Sequence, residues 1–229
     1  MRPRNFLESL NCAAEGIIHA LKTQTHLKVH FIFLILLIIL SLALNIAIYD
    51  FGILMLLSSL VIMAELFNTA IEYMMDIFTK DFHITVKYVK DISAGAVLFV
   101  SLMSLLLGVQ IISKYIIFQS PNVAENMFFI STSALFLSVF AVVFLKALFR
   151  SGRPFRGGMP SGHAAVSFSL FVSICLASNS LLIIILSFLA AIIVSFSRFY
   201  RGIHKKSEVL YGAVLGTVIT LILHKIFYR

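Results

Sequence analysis

The sequence predicts an all-α, polytopic integral membrane protein, with about seven transmembrane helices and an N-terminal amphipathic helix on the membrane surface. Three observations carry that reading. Of the 229 residues, 60% are hydrophobic and only 12% are charged, and the mean hydropathy is +1.03. Apolar runs of about 20 residues recur along most of the chain, the length at which a helix crosses a bilayer core. Lipid offers no water to backbone N–H and C=O groups, so runs of this kind must close their hydrogen bonds internally, as helices.

The elements follow in order. The opening segment, MRPRNFLESLNCAAEGIIHALKTQTH, is too polar for the apolar core of a cleavable signal and reads as an amphipathic surface helix. Spans are expected near 29–48, 52–78, 93–118, 127–150, 162–178, 181–201 and 207–227. The fifth and sixth are joined only by ASNS and form a tight helical hairpin. Between the second and third lies TKDFHITVKYVKDISAGAV (79–97), a short amphipathic stretch that brings Lys90 and Asp91 to the foot of the next span. The segment QSPNVAEN (119–126) puts proline and polar residues between two apolar blocks, and reads as a linker dividing 1–118 from 127–229. No internal repeat crosses it. Cys12 and Cys175 sit in different segments and suggest neither a disulfide framework nor a metal spacing.

Charge sets the orientation. The formal net charge is +8, which in a membrane chain points to cytoplasmic loops and phosphate sites rather than to nucleic acid. Seven spans sort the loops onto two sides. Of the 18 Lys and Arg residues, only Lys114, Lys225 and Arg229 fall on the side away from the N-terminus. Basic residues collect on the cytoplasmic side, so the N-terminus is expected there.

In the first half the anomaly is AELFNTAIEYMMD (64–76). Glu65, Glu72 and Asp76 lie in or beside a membrane span, where an ionisable residue is costly and by default functional. Counting from Glu65, Asn68, Glu72 and Asp76 are offset by 3, 7 and 11 residues, which stacks all four on one helix face. Such a stripe can hold a divalent cation through carboxylate oxygens or supply a general base. Lys90 can bind a nucleotide phosphate, and Asp91 the nucleotide or its metal. The plain alternative is a polar helix–helix contact with snorkelling ends.

In the second half, Lys146, Arg150, Arg153 and Arg156 fall within eleven positions, followed by a Gly-Gly pair, a Pro-Ser-Gly-His turn and, later, SRFYRGIHKKSE (197–208). Lys146, Arg153, Arg198, His163, His204 and Glu208 are all placed at helix ends or in loops on one side. Three cations suit the oxygens of a phosphate. The amides of Ser161, Gly162 and His163 at a helix N-terminus can add donors and the positive end of the helix dipole. Two histidines permit a nucleophile and an acid, with Glu208 four residues after His204 to orient its ring. Ordinary positive-inside loops explain neither the paired histidines nor the spaced cations.

These motifs carry two resemblances. AELFNTAIE, MMD, the FH at 82–83 and KDISAGAV resemble the prokaryotic diacylglycerol kinase / undecaprenol kinase family over about residues 5–115. That resemblance implies a small three-span membrane kinase with a surface helix, a homotrimer with ATP sites between protomers, using ATP and Mg2+. It implies that Glu65 takes the proton of a lipid hydroxyl, that Glu72 is a magnesium ligand, and that Asn68, Lys90 and Asp91 line the site for ATP and lipid. One departure stands out. In KTQTHLKVH (22–30) the family usually has a second metal-binding glutamate where this chain has Gln24. An amide oxygen can coordinate magnesium but brings no charge. Glu15, nine residues back, would lie on the opposite helix face. Two readings follow: an active kinase, or a kinase fold kept as a trimerising scaffold.

Residues 127–229 resemble the type 2 phosphatidic acid phosphatase superfamily, which includes undecaprenyl pyrophosphate phosphatases and shares a core with vanadium haloperoxidases. The resemblance implies that His204 attacks phosphorus to form a phosphohistidine and that His163 protonates the leaving oxygen. Lys146, Arg153, Arg198, Ser161 and Gly162 would hold the phosphoryl group, with no metal. The last acid, normally aspartate, is Glu208 here, and three kinase-like spans replace the two that usually precede the lysine. Together the resemblances imply a fusion of lipid kinase and lipid phosphate phosphatase in a bacterial cytoplasmic membrane, with both sites facing the cytoplasm. Undecaprenyl phosphate is the shared product this favours. Pairing diacylglycerol with phosphatidic acid would set up a futile cycle. The spans exclude a soluble haloperoxidase.

Overall fold

The computed structural model describes residues 5–78, 83–117, 123–149 and 157–227. Among them every regular element is an α-helix, and six helices are long and apolar enough to cross a membrane. A seventh apolar helix is shorter, at 16 residues. The protein is an all-α, polytopic membrane protein. Its chain divides into two compact units, Met1–Ile116 and Ile117–Arg229.

The first unit holds α1 (Phe6–Thr23), α2 (Thr25–Ala43), α3 (Ile48–Phe78) and α4 (Ile84–Ile116). Asn5 caps α1, its side-chain oxygen accepting from the Glu8 amide at 2.8 Å. Phe6, Leu7, Leu10, Ile17 and Ile18 of α1 are exposed and only Ala20 is buried, as suits a helix lying in a lipid interface. Gln24, in extended backbone (φ −102°, ψ 117°), separates α1 from α2. It therefore lies on neither helix, and the helical phase expected to oppose it to Glu15 does not apply. The first span was expected at 29–48. It starts at Thr25 and ends at Ala43 because Asn45 takes a left-handed conformation (φ 51°) that stops the helix. Of the amphipathic stretch expected at 79–97, residues 79–82 lie outside the described residues, and the part from Ile84 onward forms the first turns of α4.

α1 packs on α2 and α3, α2 on α3, and α3 on α4. Thr23 Oγ1 and the Tyr73 hydroxyl are 2.7 Å apart, and the His19 ring lies 5.8 Å from that of Tyr73, which ties the end of α1 to α3. At the opposite ends of α3 and α4 the Tyr115 hydroxyl accepts from the Ala47 amide (3.0 Å) and donates to Asp50 Oδ2 (2.9 Å), with Lys114 Nζ at 3.6 Å from the same oxygen.

The second unit holds α5 (Val123–Leu148), α6 (Gly162–Ala177), α7 (Leu181–Tyr200) and α8 (Lys206–Phe227). α5 begins within the stretch read as a linker. The short helix α6 touches α5, α7 and α8. It meets α8 along a seam of small residues, and Ala164, Ala165, Gly212, Ala213 and Gly216 are buried there. A Cβ on Gly212 would lie 2.3 Å from the Ser161 carbonyl oxygen, and one on Gly216 would lie 1.9 Å from that of Ala165. Backbones approach this closely only where no side chain intervenes. Ser169 on α6 and Thr220 on α8 share a buried hydrogen bond of 2.8 Å in the same seam. The Phe168, Phe171 and Phe188 rings fill the α6–α7 contact.

Candidate active sites

In the second unit a cavity of about 370 Å³ opens where the ends of α5, α6 and α7–α8 meet. Lys146, Gly162, His163 and His204 line it, together with an apolar wall of Val139, Val142, Val143, Val166, Leu170 and Val194. Lys146, in the last turn of α5, is only 4% exposed, and its ammonium donates to the Gly157 carbonyl at 2.6 Å. A lysine buried that deeply is not an ordinary cytoplasmic-loop charge. Gly157 and Gly158 both have left-handed backbone (φ 70° and 79°), which favours glycine at each position. Arg153, with Arg150 and Arg156, lies outside the described residues.

The Pro-Ser-Gly-His turn leads into α6 with Ser161 at its N-cap. The sequence suggested the Ser161 amide as a phosphate donor. That amide is already used, donating to the Glu208 carbonyl at 2.9 Å. What Ser161 offers is its hydroxyl, which is buried and without a hydrogen-bond partner among the described residues. Gly162 and His163, in the first turn of α6, have amides that no carbonyl of their own helix can satisfy.

The other wall is built by the turn from α7 to α8. The Arg198 carbonyl accepts from the Ile203 and His204 amides, at 3.2 Å each. Gly202 makes the reversal possible with φ 66°. Arg198 and His204 are thereby held side by side, and Arg198 Nε is buried with no partner among the described residues. His204 is buried, and its Nδ1 lies 2.8 Å from Glu208 Oε2. That oxygen also accepts from the Lys205 amide at 3.2 Å. With Nδ1 committed to the carboxylate, Nε2 is the ring nitrogen left for chemistry. The arrangement can hold a tetrahedral oxyanion, attack it with one imidazole and protonate a leaving group with the other.

The first unit places its acidic stripe on α3, facing α4. Glu65 is 5% exposed, and Asn68 and Ser93 are also buried. Ser93 Oγ donates to Asn68 Oδ1 at 2.6 Å, and Asn68 Nδ2 donates to Glu72 Oε1 at 3.2 Å, so Asn68 couples α4 to the Glu72 carboxylate. Lys90 Nζ is bonded to Asp76 Oδ1. Asp91 is instead exposed and pairs with Lys87 at 3.8 Å along α4. Gln24 caps the end of α1 through its backbone, donating to the Ala20 carbonyl at 2.8 Å. Among the described residues no three acidic, histidine or cysteine side chains converge as a metal cluster. The stripe is thus a carboxylate–amide face. Ser93, inside KDISAGAV, was not singled out from the sequence, although its place one turn from Lys90 on α4 was a readable signal.

Comparison with known proteins gives two family regions. Residues 11–112 match the model described as prokaryotic diacylglycerol kinase, and residues 93–229 match that of the PAP2 superfamily. The two matches overlap within α4. A curated diacylglycerol kinase of Synechocystis sp. is 31% identical over 105 residues, covering 45% of this chain and 60% of the relative. The chain thus spans about three fifths of the length of that relative. No solved structure matches significantly.

Proposed function

The chain belongs to the PAP2 superfamily, and its residues 11–112 match the prokaryotic diacylglycerol kinase model; from this we propose a bifunctional lipid phosphate enzyme. The second unit is a metal-independent phosphatase acting on a lipid phosphate or pyrophosphate, undecaprenyl pyrophosphate first among them. The first unit is an ATP-dependent kinase of a lipid alcohol, undecaprenol or diacylglycerol. One observation carries the phosphatase reading: two buried polar groups have no partner among the described residues, Ser161 Oγ, next in the chain to the cavity residues Gly162 and His163, and Arg198 Nε, on the residue whose carbonyl holds the His204 amide. Buried polar groups are normally paired, and a phosphoryl oxygen is the partner that suits both.

In this mechanism His204 Nε2 attacks phosphorus while Glu208 holds the ring and steadies its positive charge. The bond from phosphorus to the leaving oxygen breaks, and His163 gives that oxygen its proton. Water then attacks the phosphohistidine with His163 accepting its proton, and inorganic phosphate departs. Lys146, Arg153, Arg198, the Ser161 hydroxyl and the Gly162 amide balance the developing charge, the part a divalent ion plays in other phosphatases.

For the first unit, the donor set suits a magnesium–nucleotide complex rather than a bare ion. Mg2+ is commonly held by one or two carboxylates plus substrate phosphates, and Glu72 supplies one carboxylate with Gln24 as an amide donor. When bound, Mg2+–ATP would supply the transferable phosphoryl group with its charge partly neutralised. Glu65 takes the proton of the lipid hydroxyl, Lys90 meets phosphate oxygens on leaving Asp76, and Asn68 and Asp91 complete the nucleotide and lipid contacts. A neighbouring copy in a homotrimer supplies the rest of the site. A second reading, phosphatase with a non-catalytic trimerising scaffold, is favoured by Gln24 standing where a carboxylate is usual.

The protein resides in a bacterial cytoplasmic membrane with both sites facing the cytoplasm, a reading supported by the Lys and Arg distribution and the need for ATP. Both reactions then converge on undecaprenyl phosphate. Purified protein tests this directly. It should release phosphate from undecaprenyl pyrophosphate in EDTA and transfer label from Mg2+–ATP to undecaprenol. Failure of the first reaction refutes the phosphatase; failure of the second alone leaves the scaffold reading.

A further inference from the structure

The mechanism above leaves one polar side chain of the cavity unused. Ser167 lies on its wall among Val166, Leu170 and Val194. It is four residues past His163 on α6, about 6 Å along the helix axis. Its hydroxyl is 3.2 Å from the Ala164 carbonyl and 3.3 Å from Ser195 Oγ on α7. Ser195 is buried. With Ser195 donating to Ser167, the Ser167 proton is held only by the long bond back to Ala164, of the kind serines make in apolar helices. Turning to a ligand oxygen would cost it only that bond. Ser169, two residues on, is by contrast fully buried and closed off by Thr220 at 2.8 Å.

Resting on the phosphatase reading, the geometry points to Ser167 as a specificity residue that recognises the second phosphate of a lipid diphosphate. As His204 Nε2 bonds to the terminal phosphorus, the phosphorus–oxygen bond toward the lipid breaks and the proton of His163 goes to that bridging oxygen. When the substrate is a diphosphate, the group that leaves is itself a phosphate. Its phosphorus is bonded to the bridging oxygen on the tail side, so its charged non-bridging oxygens enter the stretch of cavity one turn beyond His163. The neighbouring walls there are valine and leucine, which offer no donor, and a charged oxygen among them is costly unless hydrogen-bonded. Ser167 supplies the donor, with Ser195 behind it. For a monophosphate the same stretch holds the first carbons of the tail, which need none.

The experiment uses purified full-length protein in EDTA and two substrates with the same tail, a diphosphate and a monophosphate. For Ser167→Ala we expect kcat/KM on the diphosphate to fall by about tenfold or more, the usual cost of a lost hydrogen bond to a charged group. The monophosphate rate should be unchanged, which also shows that the His204 site is intact. Ser167→Thr, which keeps the hydroxyl, should restore the preference for diphosphate. Equal losses on both substrates would mean a merely structural role and overturn the proposal, as would no loss on either, or a wild-type protein that accepts only the monophosphate. Wild-type protein inactive on both lipids would refute the phosphatase reading itself.

Discussion

The amide of Ser161 donates to the carbonyl of Glu208 across 2.9 Å. This contact joins the turn that opens α6 to the first turn of α8, and so ties the segment of Ser161 and His163 to the residue whose carboxylate is bonded to His204 Nδ1. It forms only because α8 lies almost against the α6 backbone, where Gly212 and Gly216 leave no side chain in the way.

Gly216→Ala should therefore break the second unit. Its new Cβ would sit 1.9 Å from the Ala165 carbonyl oxygen, and backbone, not a flexible side chain, would have to move. The expected result is loss of phosphatase activity together with a lowered melting temperature in detergent. Gly212→Ala, with 2.3 Å to the Ser161 oxygen, should do the same. A variant as active and stable as wild type would show that the seam is looser than described.

Removing the acid behind His204 tests the orienting role. Glu208→Ala should lower kcat by about a hundredfold or more, since an unoriented imidazole adopts the wrong tautomer or angle. Glu208→Asp should retain clearly more activity than Glu208→Ala, because the charge remains within reach of Nδ1. The comparison is made by steady-state hydrolysis, with circular dichroism as the check on folding. If Glu208→Ala stays within a few-fold of wild type, the 2.8 Å pair is not what positions the ring.

The kinase reading predicts a separable activity. Glu65→Ala should abolish transfer of label from Mg2+–ATP to a lipid alcohol and leave phosphate release untouched. Gln24→Glu should keep or raise the kinase rate, because it returns a carboxylate to the proposed metal site. Label transfer by Gln24→Glu but not by wild type would establish the scaffold reading for the natural chain.

Much of this was legible in the sequence, for physical reasons. Hydropathy finds the spans because the bilayer demands apolar length, and histidine, lysine and acid at helix ends stand out in so apolar a chain. Boundaries were less legible. Apolar content does not mark the start of α4, where the polar turns from Ile84 are helical and carry the Lys87–Asp91 pair. Nor does it mark the end of α2, which Asn45 determines by its backbone. The contacts that assemble the site join residues far apart in the chain: Ser161 with Glu208, Ser167 with Ser195, Ser169 with Thr220. No local pattern encodes such partners. Gly212 and Gly216 are the exception, since their G-x-x-x-G spacing in an apolar helix is a known signal for close helix packing and was open to reading.

Orientation can be measured within the second unit alone. After Cys12 and Cys175 are replaced, Ser207→Cys and Ser180→Cys report opposite ends of it. Both positions are exposed, one at the start of α8 and the other just before α7. In intact cells a membrane-impermeant thiol reagent should label Ser180→Cys and spare Ser207→Cys. The reverse pattern would place the phosphatase site on the outer face and remove the shared cytoplasmic product.

In the proposed mechanism His204 carries the phosphoryl group without a metal. The most direct test is to mix the purified protein with lipid pyrophosphate radiolabelled at the terminal phosphate, in EDTA, and to quench within the first turnovers. We expect an acid-labile, base-stable label on the protein that maps to His204 and is missing from His204→Ala. Label absent from the wild-type protein while phosphate is released, or release that stops in EDTA, would contradict it.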